Sequence, residues 1–391
     1  MGEPMKVGIV GCGAIVAQYL TTLSRLRSVH LVAVADRDPR RAAAVAASRP
    51  GLRALTVDEL VSDPSVDVVL NLTTPAAHAE VALGAIQAGK HVYGEKPLAA
   101  TTAQARLVVE AARVAGVRLG CAPDTVLGTS IQTARKALDD GLIGAPVSAS
   151  ATMVTPGHER WHPDPDFYYA AGGGPLLDMG PYYVTALVTL LGPVVSVIGA
   201  ASHTRSTRTI GAGPRAGEPV PVTTDTHVTG VLAHATGALS TLVMSFDGVR
   251  TRSPNIEVHG ETASLVVPDP NLFDGDPEIC TLAQPEAGWT VLPTTAGYRQ
   301  AGRGYGLADM ALTPEGEQHR TNGDLAYHVL DVMESLLESA STGVSVTIGS
   351  RVDRPAPVPL TELSGTSGGS PAGSAASAAS SSTGKSSRSA G

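Results

Sequence analysis

The chain has 391 residues, of which 43% are hydrophobic, and 36 acidic against 28 basic side chains give it a formal net charge of −8. This length allows two or three domains with real apolar cores, which excludes a peptide-sized or mainly disordered protein. An acidic surface lacks the dense positive face that a phosphate backbone requires, so no nucleic acid partner is expected.

Short apolar runs alternate with helix-like stretches in the first part of the chain. The predicted strands are Val-rich runs bounded by turn residues: Lys6–Val10, Leu31–Ala35, Val66–Leu72, His91–Tyr93 and Arg118–Cys121. The predicted helices lie between them, several opening with Thr, Asp or Pro: Ala14–Arg27, Pro39–Ser48, Val57–Ser62, Ala76–Ala88 and Thr102–Ala115. Strand alternating with helix predicts a doubly wound α/β domain over residues 1–123.

Beyond Pro123 the sequence becomes richer in strand patterns. The predicted helices of this part are Gly128–Asp140, Pro181–Leu191 and Leu325–Ser339. The predicted strands are Val147–Thr155, Val194–Ile198, Val228–Ala233, Ala238–Ser245, Asn255–His259, Ala263–Val267 and Ser345–Ile348. Few periodic signals occur over Asp269–Thr313. These patterns predict an α+β domain over residues 124–363 with a large, open, mainly antiparallel sheet.

The C-terminal segment 364–391 consists mainly of Ser, Gly and Ala. Such a composition cannot bury enough apolar area to offset the entropy of ordering, so the segment is predicted to be a disordered tail.

Cysteine content and hydropathy bear on the cellular compartment. The three cysteines, Cys12, Cys121 and Cys280, are too few and too far apart for a disulfide framework or a paired thiolate metal site. No apolar run approaches the ~18 residues of a membrane span, and no basic region followed by a long apolar one opens the chain. A cytoplasmic protein without a membrane partner is therefore expected.

A glycine-rich turn follows the first predicted strand and opens the first predicted helix, with the sequence Gly11-Cys12-Gly13-Ala14-Ile15-Val16. Gly11 permits a tight turn, and Gly13 lets backbone N–H groups approach a pyrophosphate at the helix N-terminus. Val16 departs from the third glycine of this dinucleotide fingerprint. Asp36 ends the second strand, where its carboxylate would accept ribose hydroxyls. The arrangement is typical of a Rossmann-type dinucleotide-binding domain.

The choice between NAD and NADP depends on the residues after the second strand. The Asp36 carboxylate disfavours a 2′-phosphate by like-charge repulsion, which favours NAD. Arg37 follows directly and could pair with that phosphate or stack on adenine, or could be a solvated surface arginine. NADP therefore stays possible.

Three further segments extend the pattern: Thr73-Thr74-Pro75 with His78 after the third strand, Glu95-Lys96-Pro97 after the fourth, and the glycine-rich stretch 172–183 with Asp178, Gly180 and Tyr182. Together with the glycine turn, they resemble the Gfo/Idh/MocA oxidoreductases. The resemblance implies an NAD(P)-dependent oxidoreductase that transfers a hydride to or from a hydroxyl or keto carbon of a sugar, cyclitol or related polyol. It also implies that the coenzyme contacts Gly11, Gly13, Ala14, Ile15, Asp36, Arg37, Thr73, Thr74, Pro75, His78, Glu95 and Lys96. For His78, local hydrogen bonding is the competing interpretation.

The resemblance places Lys96, Asp178 and position 182 around the reacting carbon. The family's usual histidine acid/base is absent, because position 182 is tyrosine. One hypothesis makes Tyr182 the acid/base, with Lys96 as the ammonium that favours its phenolate and Asp178 orienting sugar hydroxyls. In the other, Lys96 carries the proton and Tyr182 only shapes the pocket. Asp178 could instead cap the helix that begins near Pro181.

The sequence His158-Glu159-Arg160-Trp161-His162 matches the H-E-x-x-H zinc pattern. That pattern requires one helix through both histidines, whereas Pro156-Gly157 and Pro163-Asp164-Pro165 flank the segment, so no metal site is expected. We expect a substrate-binding loop, or a loop packed on the sheet. Its candidate substrate contacts are His158, Arg160, Trp161 and His162, in addition to Asp178.

Two other functions stay open at this stage. The resemblance also implies a redox-neutral variant that cleaves glycosides with a transiently used nicotinamide. The missing histidine at position 182 would also suit a non-catalytic sensor that binds dinucleotides. The second domain is expected to expose an apolar sheet face that pairs between subunits, giving a homodimer or homotetramer.

Overall fold

In the computed structural model, which describes residues 3–363, six strands form the first sheet. They are β1 (Met5–Val10), β2 (Val29–Ala35), β3 (Arg53–Leu55), β4 (Val68–Asn71), β5 (His91–Gly94) and β6 (Leu119–Cys121). All pair in parallel, in the spatial order β3-β2-β1-β4-β5-β6. The order reverses between β1 and β4, and ligands of such sheets bind at the carboxyl ends of the strands at this reversal.

The helices that connect these strands lie where the sequence predicts them, although α1 is shorter than predicted. They are α1 (Val16–Leu23), α2 (Pro39–Ala47), α3 (Val57–Ser62), α4 (Pro75–Gln87) and α5 (Thr102–Ala115). Thr56 and Glu59 form a reciprocal capping box at the start of α3. Thr101 caps α5, which ends at the left-handed Gly116 with φ of 66°.

The second half of the described chain contributes the remaining elements. Its helices are α6 (Thr129–Asp139), α7 (Asp166–Tyr169), α8 (Gly174–Leu191), α9 (Tyr305–Leu312) and α10 (Gly323–Thr342). Its strands are β7 (Pro146–Val154), β8 (Val194–Ser202), β9 (Thr207–Thr209), β10 (Pro219–Pro221), β11 (His227–His234), β12 (Leu239–Ser245), β13 (Ile256–Gly260), β14 (Ala263–Val267), β15 (Glu278–Thr281), β16 (Thr290–Val291), β17 (Tyr298–Arg299), β18 (Val346–Thr347) and β19 (Thr361–Glu362).

A nine-stranded sheet dominates this half, in the order β16-β15-β14-β13-β7-β12-β11-β8-β18. Only β7 and β12 pair in parallel there, so the predicted open and mainly antiparallel sheet is confirmed. One face is buried, and α8 and α10 contact the strands of this sheet. The other face carries both apolar and polar side chains. One row of directly paired residues across it is Ile198, Val231, Thr241, Ser150, Glu257 and Val266.

Several predicted bounds are wrong, for physical reasons. The helix predicted over Ala14–Arg27 begins at Val16, because the glycine turn occupies its first residues. The helix predicted from Pro181 begins at Gly174 and carries Pro181 in its interior. Sequence analysis missed β3, which has three residues at the sheet edge, and it also missed α9. The predicted domain boundary at 123/124 falls between β6 and α6 and stays a prediction, whereas the predicted disordered tail at 364–391 lies outside the described residues.

Within residues 3–363, no helix is both long and apolar enough to cross a bilayer.

Candidate active site

The glycine turn lies at the crevice between β1 and β4. Gly11 has a φ of 103°, and a Cβ atom there would lie 2.6 Å from the backbone of Leu72, so the turn itself requires glycine. A Cβ atom on Gly13 would meet no protein atom within 4 Å. The space above Gly13 is therefore open to a ligand at the N-terminus of α1. Ala14 is exposed beside it, and Ile15 is the half-buried N-cap of that helix.

Asp36 is connected directly to this turn. Its Oδ2 accepts the N–H of Cys12 at 2.7 Å, and its Oδ1 accepts the N–H of Asp38 at 2.8 Å. The carboxylate is thus fixed beside the dinucleotide turn and retains lone pairs for ribose hydroxyls. Arg37 is exposed at the same edge.

The segment after β4 lies on the other side of the crevice. Thr73 is half-buried and donates its hydroxyl to Asn71 Oδ1 at 2.6 Å. Thr74 is exposed at the N-cap of α4 without a capping side-chain bond, and Pro75 occupies the first turn of that helix. Thr74 therefore has a side chain that is free to face a bound coenzyme.

The side chain of His78, predicted to contact the coenzyme, is instead engaged by the protein backbone. Its ring is 2% exposed, with Nδ1 2.6 Å from the carbonyl oxygen of Pro97 and Nε2 3.0 Å from that of Thr73. Both ring nitrogens therefore face backbone carbonyls, and His78 links the loop after β4 to the loop after β5. The competing interpretation, local hydrogen bonding, describes this side chain.

Glu95 lies at the carboxyl end of β5, facing α1. Its Oε1 accepts the hydroxyl of Tyr19 at 2.8 Å, and its Oε2 accepts the N–H of Lys96 at 3.0 Å. The two bonds fix the start of the segment that carries Lys96.

Lys96, Asp178 and His158 form a hydrogen-bonded chain at the same edge. Lys96 Nζ donates to the Asp178 carbonyl at 2.6 Å and to its Oδ1 at 3.0 Å. His158 Nε2 lies 3.1 Å from Oδ2 of the same carboxylate. Lys96 follows a strand of the first sheet, whereas Asp178 lies in the second turn of α8. The alternative in which Asp178 caps the helix does not hold, because α8 begins at Gly174 and the Asp178 carboxylate is engaged by these two side chains.

The charges of Lys96 and Asp178 stabilise one another. Burial would raise the pKa of Asp178, but the charge of Lys96 and the hydrogen bonds from His158 and Lys96 lower it to about 2. Burial would lower the pKa of Lys96, but Asp178 and Tyr182 together raise it above its ordinary value. Lys96 is thus held as an ammonium and Asp178 as a carboxylate across the neutral pH range.

Tyr182 lies on α8 one turn beyond Asp178 and is 6% exposed. Lys96 Nζ is 5.3 Å from its ring centroid. Burial raises the pKa of Tyr182, and the positive charges of Lys96 and Arg303 offset that rise only in part. The phenol is therefore the resting form.

Arg303 and Asn271 complete the site and were missed by sequence analysis. Arg303 Nη2 donates to Tyr182 Oη at 3.1 Å and to Asn271 Oδ1 at 2.8 Å. Both residues lie within Asp269–Thr313, where the sequence shows few periodic signals of helix or strand. The only available signal was the arginine between Gly302 and Gly304, and such a turn is too common to indicate a site.

Of the substrate contacts predicted in the loop after β7, His158 is the one that contacts Asp178. His158–Arg160 form a 3₁₀ turn, so no helix runs through His158 and His162. Arg160 is exposed, Trp161 is 58% exposed, and His162 Nδ1 accepts the N–H of Asp164 at 3.1 Å. The ring centroid of Trp161 lies 5.1 Å from that of His158. Within the described ranges, no cluster of three His, Cys, Asp or Glu side chains is suited to a metal ion.

The loop is anchored by buried charges. Glu159, 4% exposed, accepts from Arg208 Nη1 at 3.0 Å and also from the hydroxyl of Tyr169. Arg208 donates to Asp247 as well. The zinc pattern's glutamate is therefore a structural anchor that fixes the backbone next to His158.

Two models of one protein family match this chain, one in each half. The model of the Gfo/Idh/MocA oxidoreductase family, NAD-binding Rossmann fold, matches residues 5–122, and that of the Gfo/Idh/MocA C-terminal domain matches residues 131–266. The 1,5-anhydro-D-fructose reductase of Ensifer adhaerens is 32% identical over 264 residues, which cover 66% of this chain and 74% of that protein.

Two further similarities were found. The dTDP-3,4-didehydro-2,6-dideoxy-alpha-D-glucose 3-reductase of Saccharopolyspora spinosa is 33% identical over 52% of this chain and 61% of that protein. The solved structure of levoglucosan dehydrogenase in complex with NADH and L-sorbose superposes with a TM-score of 0.74 over 90% of this chain and 100% of that chain. At 21% identity, this last likeness concerns the fold.

Proposed function

The chain belongs to the Gfo/Idh/MocA oxidoreductase family, with that family's NAD-binding Rossmann domain, and on this premise we propose a substrate and a set of roles. The substrate is a sugar, cyclitol or related polyol, in which a hydroxyl-bearing carbon is oxidised or the matching ketone reduced. The observation that carries the proposal is the ion pair between Lys96 and Asp178, with His158 and Tyr182 beside it, at the carboxyl edge of the parallel sheet.

The crevice fits a nicotinamide dinucleotide. The open space above Gly13, the N-terminus of α1 and the fixed carboxylate of Asp36 suit a pyrophosphate and a ribose in turn. Thr73, Thr74 and Glu95 line the path from there to Lys96. When bound, the nicotinamide accepts or supplies the hydride, so this chain's own residues have to handle the proton.

The charged state of Lys96 suits a donor to the substrate oxygen. An ammonium that already donates twice to Asp178 retains one N–H, which can polarise a carbonyl or hydroxyl oxygen. Its raised pKa disfavours the hypothesis that Lys96 itself carries the proton. Tyr182 is then the acid/base, and Asp178 with His158 orients the hydroxyls next to the reacting carbon.

A substrate screen tests this function. Purified protein is offered sugars, cyclitols and glycosides with NAD and with NADP while the absorbance of the reduced nicotinamide is followed. Turnover with a polyol, lost in Lys96→Met and retained in the exposed control Lys136→Met, is the expected result. Cleavage of a glycoside without net NADH formation would identify the redox-neutral enzyme instead. Coenzyme binding without turnover of any compound would identify a sensor.

We assign NAD as the preferred coenzyme. The Asp36 carboxylate, which accepts two backbone N–H groups, would repel a 2′-phosphate at that position. A preference for NADP in the same screen would contradict this assignment.

Assembly and location complete the proposal. Ile198 and Leu239 are each about half exposed, at 49% and 50%, on the open sheet face, which supports pairing of two copies there. Sedimentation of a monomer at micromolar concentration would contradict this.

Free thiols at Cys12, Cys121 and Cys280 suit the reducing cytoplasm.

A further inference from the structure

Arg303 enters the site from the turn between β17 and α9. Its Nη2 contacts Tyr182 Oη at 3.1 Å, and its guanidinium carbon lies 5.1 Å from the Tyr182 ring centroid. The same guanidinium carbon lies 5.8 Å from the Phe273 ring centroid. Two aromatic rings and the Asn271 amide thus hold the cation against the phenol oxygen.

The backbone on both sides of Arg303 is fixed. The buried Asp124 accepts the N–H of Gly304 at 2.7 Å and that of Gly306 at 3.1 Å. A Cβ atom on Gly302 would lie 2.6 Å from Thr22 Oγ1, so the turn packs closely on α1. These contacts fix the backbone from which the Arg303 side chain extends.

The side chains of Lys96 and Arg303 approach different parts of Tyr182. The Lys96 ammonium makes its two hydrogen bonds to Asp178 and approaches only the ring of the tyrosine. Among residues 3–363, Arg303 has no carboxylate oxygen within 4.0 Å, and its hydrogen bonds go to neutral oxygens. Both charges favour the phenolate of Tyr182, but among the described residues only the Arg303 guanidinium donates a hydrogen bond to its oxygen.

We propose that Arg303 is the positioning residue that prepares Tyr182 for proton transfer, by donating to its phenol oxygen and stabilising the phenolate that forms there. The proposal rests on the proposed function, in which Tyr182 is the acid/base. It gives Tyr182 a hydrogen-bond donor in Arg303, in addition to the neighbouring charge of Lys96.

The geometry also directs the phenol proton. The Arg303 N–H occupies one lone pair of Oη, and no acceptor for the Tyr182 O–H is found in the described part of the chain. The O–H can thus point at a substrate oxygen. In the reducing direction, the O–H bond of Tyr182 breaks and a bond from that proton to the substrate oxygen forms, as the substrate carbon gains the hydride that a bound reduced nicotinamide would supply. In the oxidising direction the phenolate takes the hydroxyl proton, as the carbon loses a hydride for which a bound oxidised nicotinamide would be the acceptor.

The test compares Arg303→Met and Arg303→Lys with the matched control Arg299→Met, whose arginine is exposed four residues upstream. The first readout needs no coenzyme or substrate: the ultraviolet absorbance of tyrosinate is titrated against pH, and Tyr182 is isolated by subtracting Tyr182→Phe. We expect the Tyr182 ionisation to move to higher pH in Arg303→Met, less so in Arg303→Lys, and to stay in place in the control.

The second readout is the rate. Arg303→Met should lower kcat by about tenfold or more, with NAD affinity within about twofold of wild type, and Arg303→Lys should recover part of the loss. A Tyr182 titration that is unchanged in both variants would overturn the proposal, even if the rate falls. If Arg303→Met does not fold, the comparison of Arg303→Lys with wild type decides. Absence of turnover in the wild type would overturn the proposed function alone, because the titration still measures the coupling.

Discussion

His158 Nε2 lies 3.1 Å from Asp178 Oδ2, and it faces the one carboxylate oxygen that Lys96 leaves free. The two residues are separated by 20 positions in the chain, in a 3₁₀ turn and in α8, and the loop reaches α8 because the Glu159–Arg208 pair anchors it. Asp178 therefore links Lys96, which follows a strand of the first sheet, to His158 in the loop after β7.

Replacing Asp178 by Asn should reduce stability in a pH-dependent way. The pKa of this carboxyl is lowered from 3.8 to about 2 in the folded protein. Its contribution, about 2 kcal/mol, is present above pH ~4 and is lost as the pH falls through about 2. Urea unfolding should thus show a gap between wild type and Asp178→Asn at neutral pH that closes in acid. Asp140→Asn, which removes the exposed partner of Lys136, should cost less than about 1 kcal/mol.

Removing the Tyr182 hydroxyl tests the acid/base assignment. Tyr182→Phe should lower kcat about a hundredfold while coenzyme affinity stays unchanged, because the ring and its contacts with Lys96 and Arg303 are retained. Tyr183→Phe is the matched control, since its hydroxyl accepts from Asn255 and serves no proposed step. A kcat within about twofold of wild type would remove the phenol from the mechanism.

The two glycines of the turn should respond differently to alanine. Gly13→Ala should leave the melting temperature unchanged, because its Cβ meets no protein atom, but should weaken NAD binding about tenfold by occupying the ligand's space. Gly11→Ala should lower the melting temperature, because its φ of 103° and the Leu72 backbone both exclude a side chain. Gly84→Ala, also in open space but far along α4, is the control. Calorimetry and NAD titration provide the two measurements, and undiminished NAD affinity in Gly13→Ala would count against the assigned pyrophosphate path.

The buried ion cluster behind His158 should be required for stability. Arg208→Met leaves the Glu159 and Asp247 carboxylates without their cation in the interior and should cost about 3–5 kcal/mol. Arg205→Met, at an exposed position three residues away, should change little. Denaturant unfolding measures both. An Arg208→Met protein as stable as the control would show that the loop is held by its aromatic contacts instead.

The sequence predicted the fold because its signals are local. Valine-rich runs, helix caps and the turn at Gly11 each depend on a few neighbouring residues, and the strand order follows from their alternation. The short edge strand β3 escaped detection, since Arg53–Leu55 has no buried residue to set a pattern.

The site was predicted only where its residues belong to motifs. Lys96 and Asp178 were found in this way, but Arg303 contacts Tyr182 across 121 positions and lies in a stretch without periodicity. His78 was assigned to the coenzyme because sequence alone does not reveal that both of its nitrogens face backbone carbonyls. Contacts of this kind depend on tertiary packing, which no local pattern encodes.

The Lys96–Asp178 pair joins two stretches of the chain that are matched by separate family models, residues 5–122 and 131–266. The ammonium is covalently part of the unit that carries the dinucleotide turn, and the carboxylate is part of the unit that presents the loop around His158. A chimaera that exchanges the second stretch between relatives would keep the lysine with the coenzyme and import a new aspartate with a new pocket. Recombination in the segment after β6 would therefore change the substrate range while the NAD-binding Rossmann fold is kept.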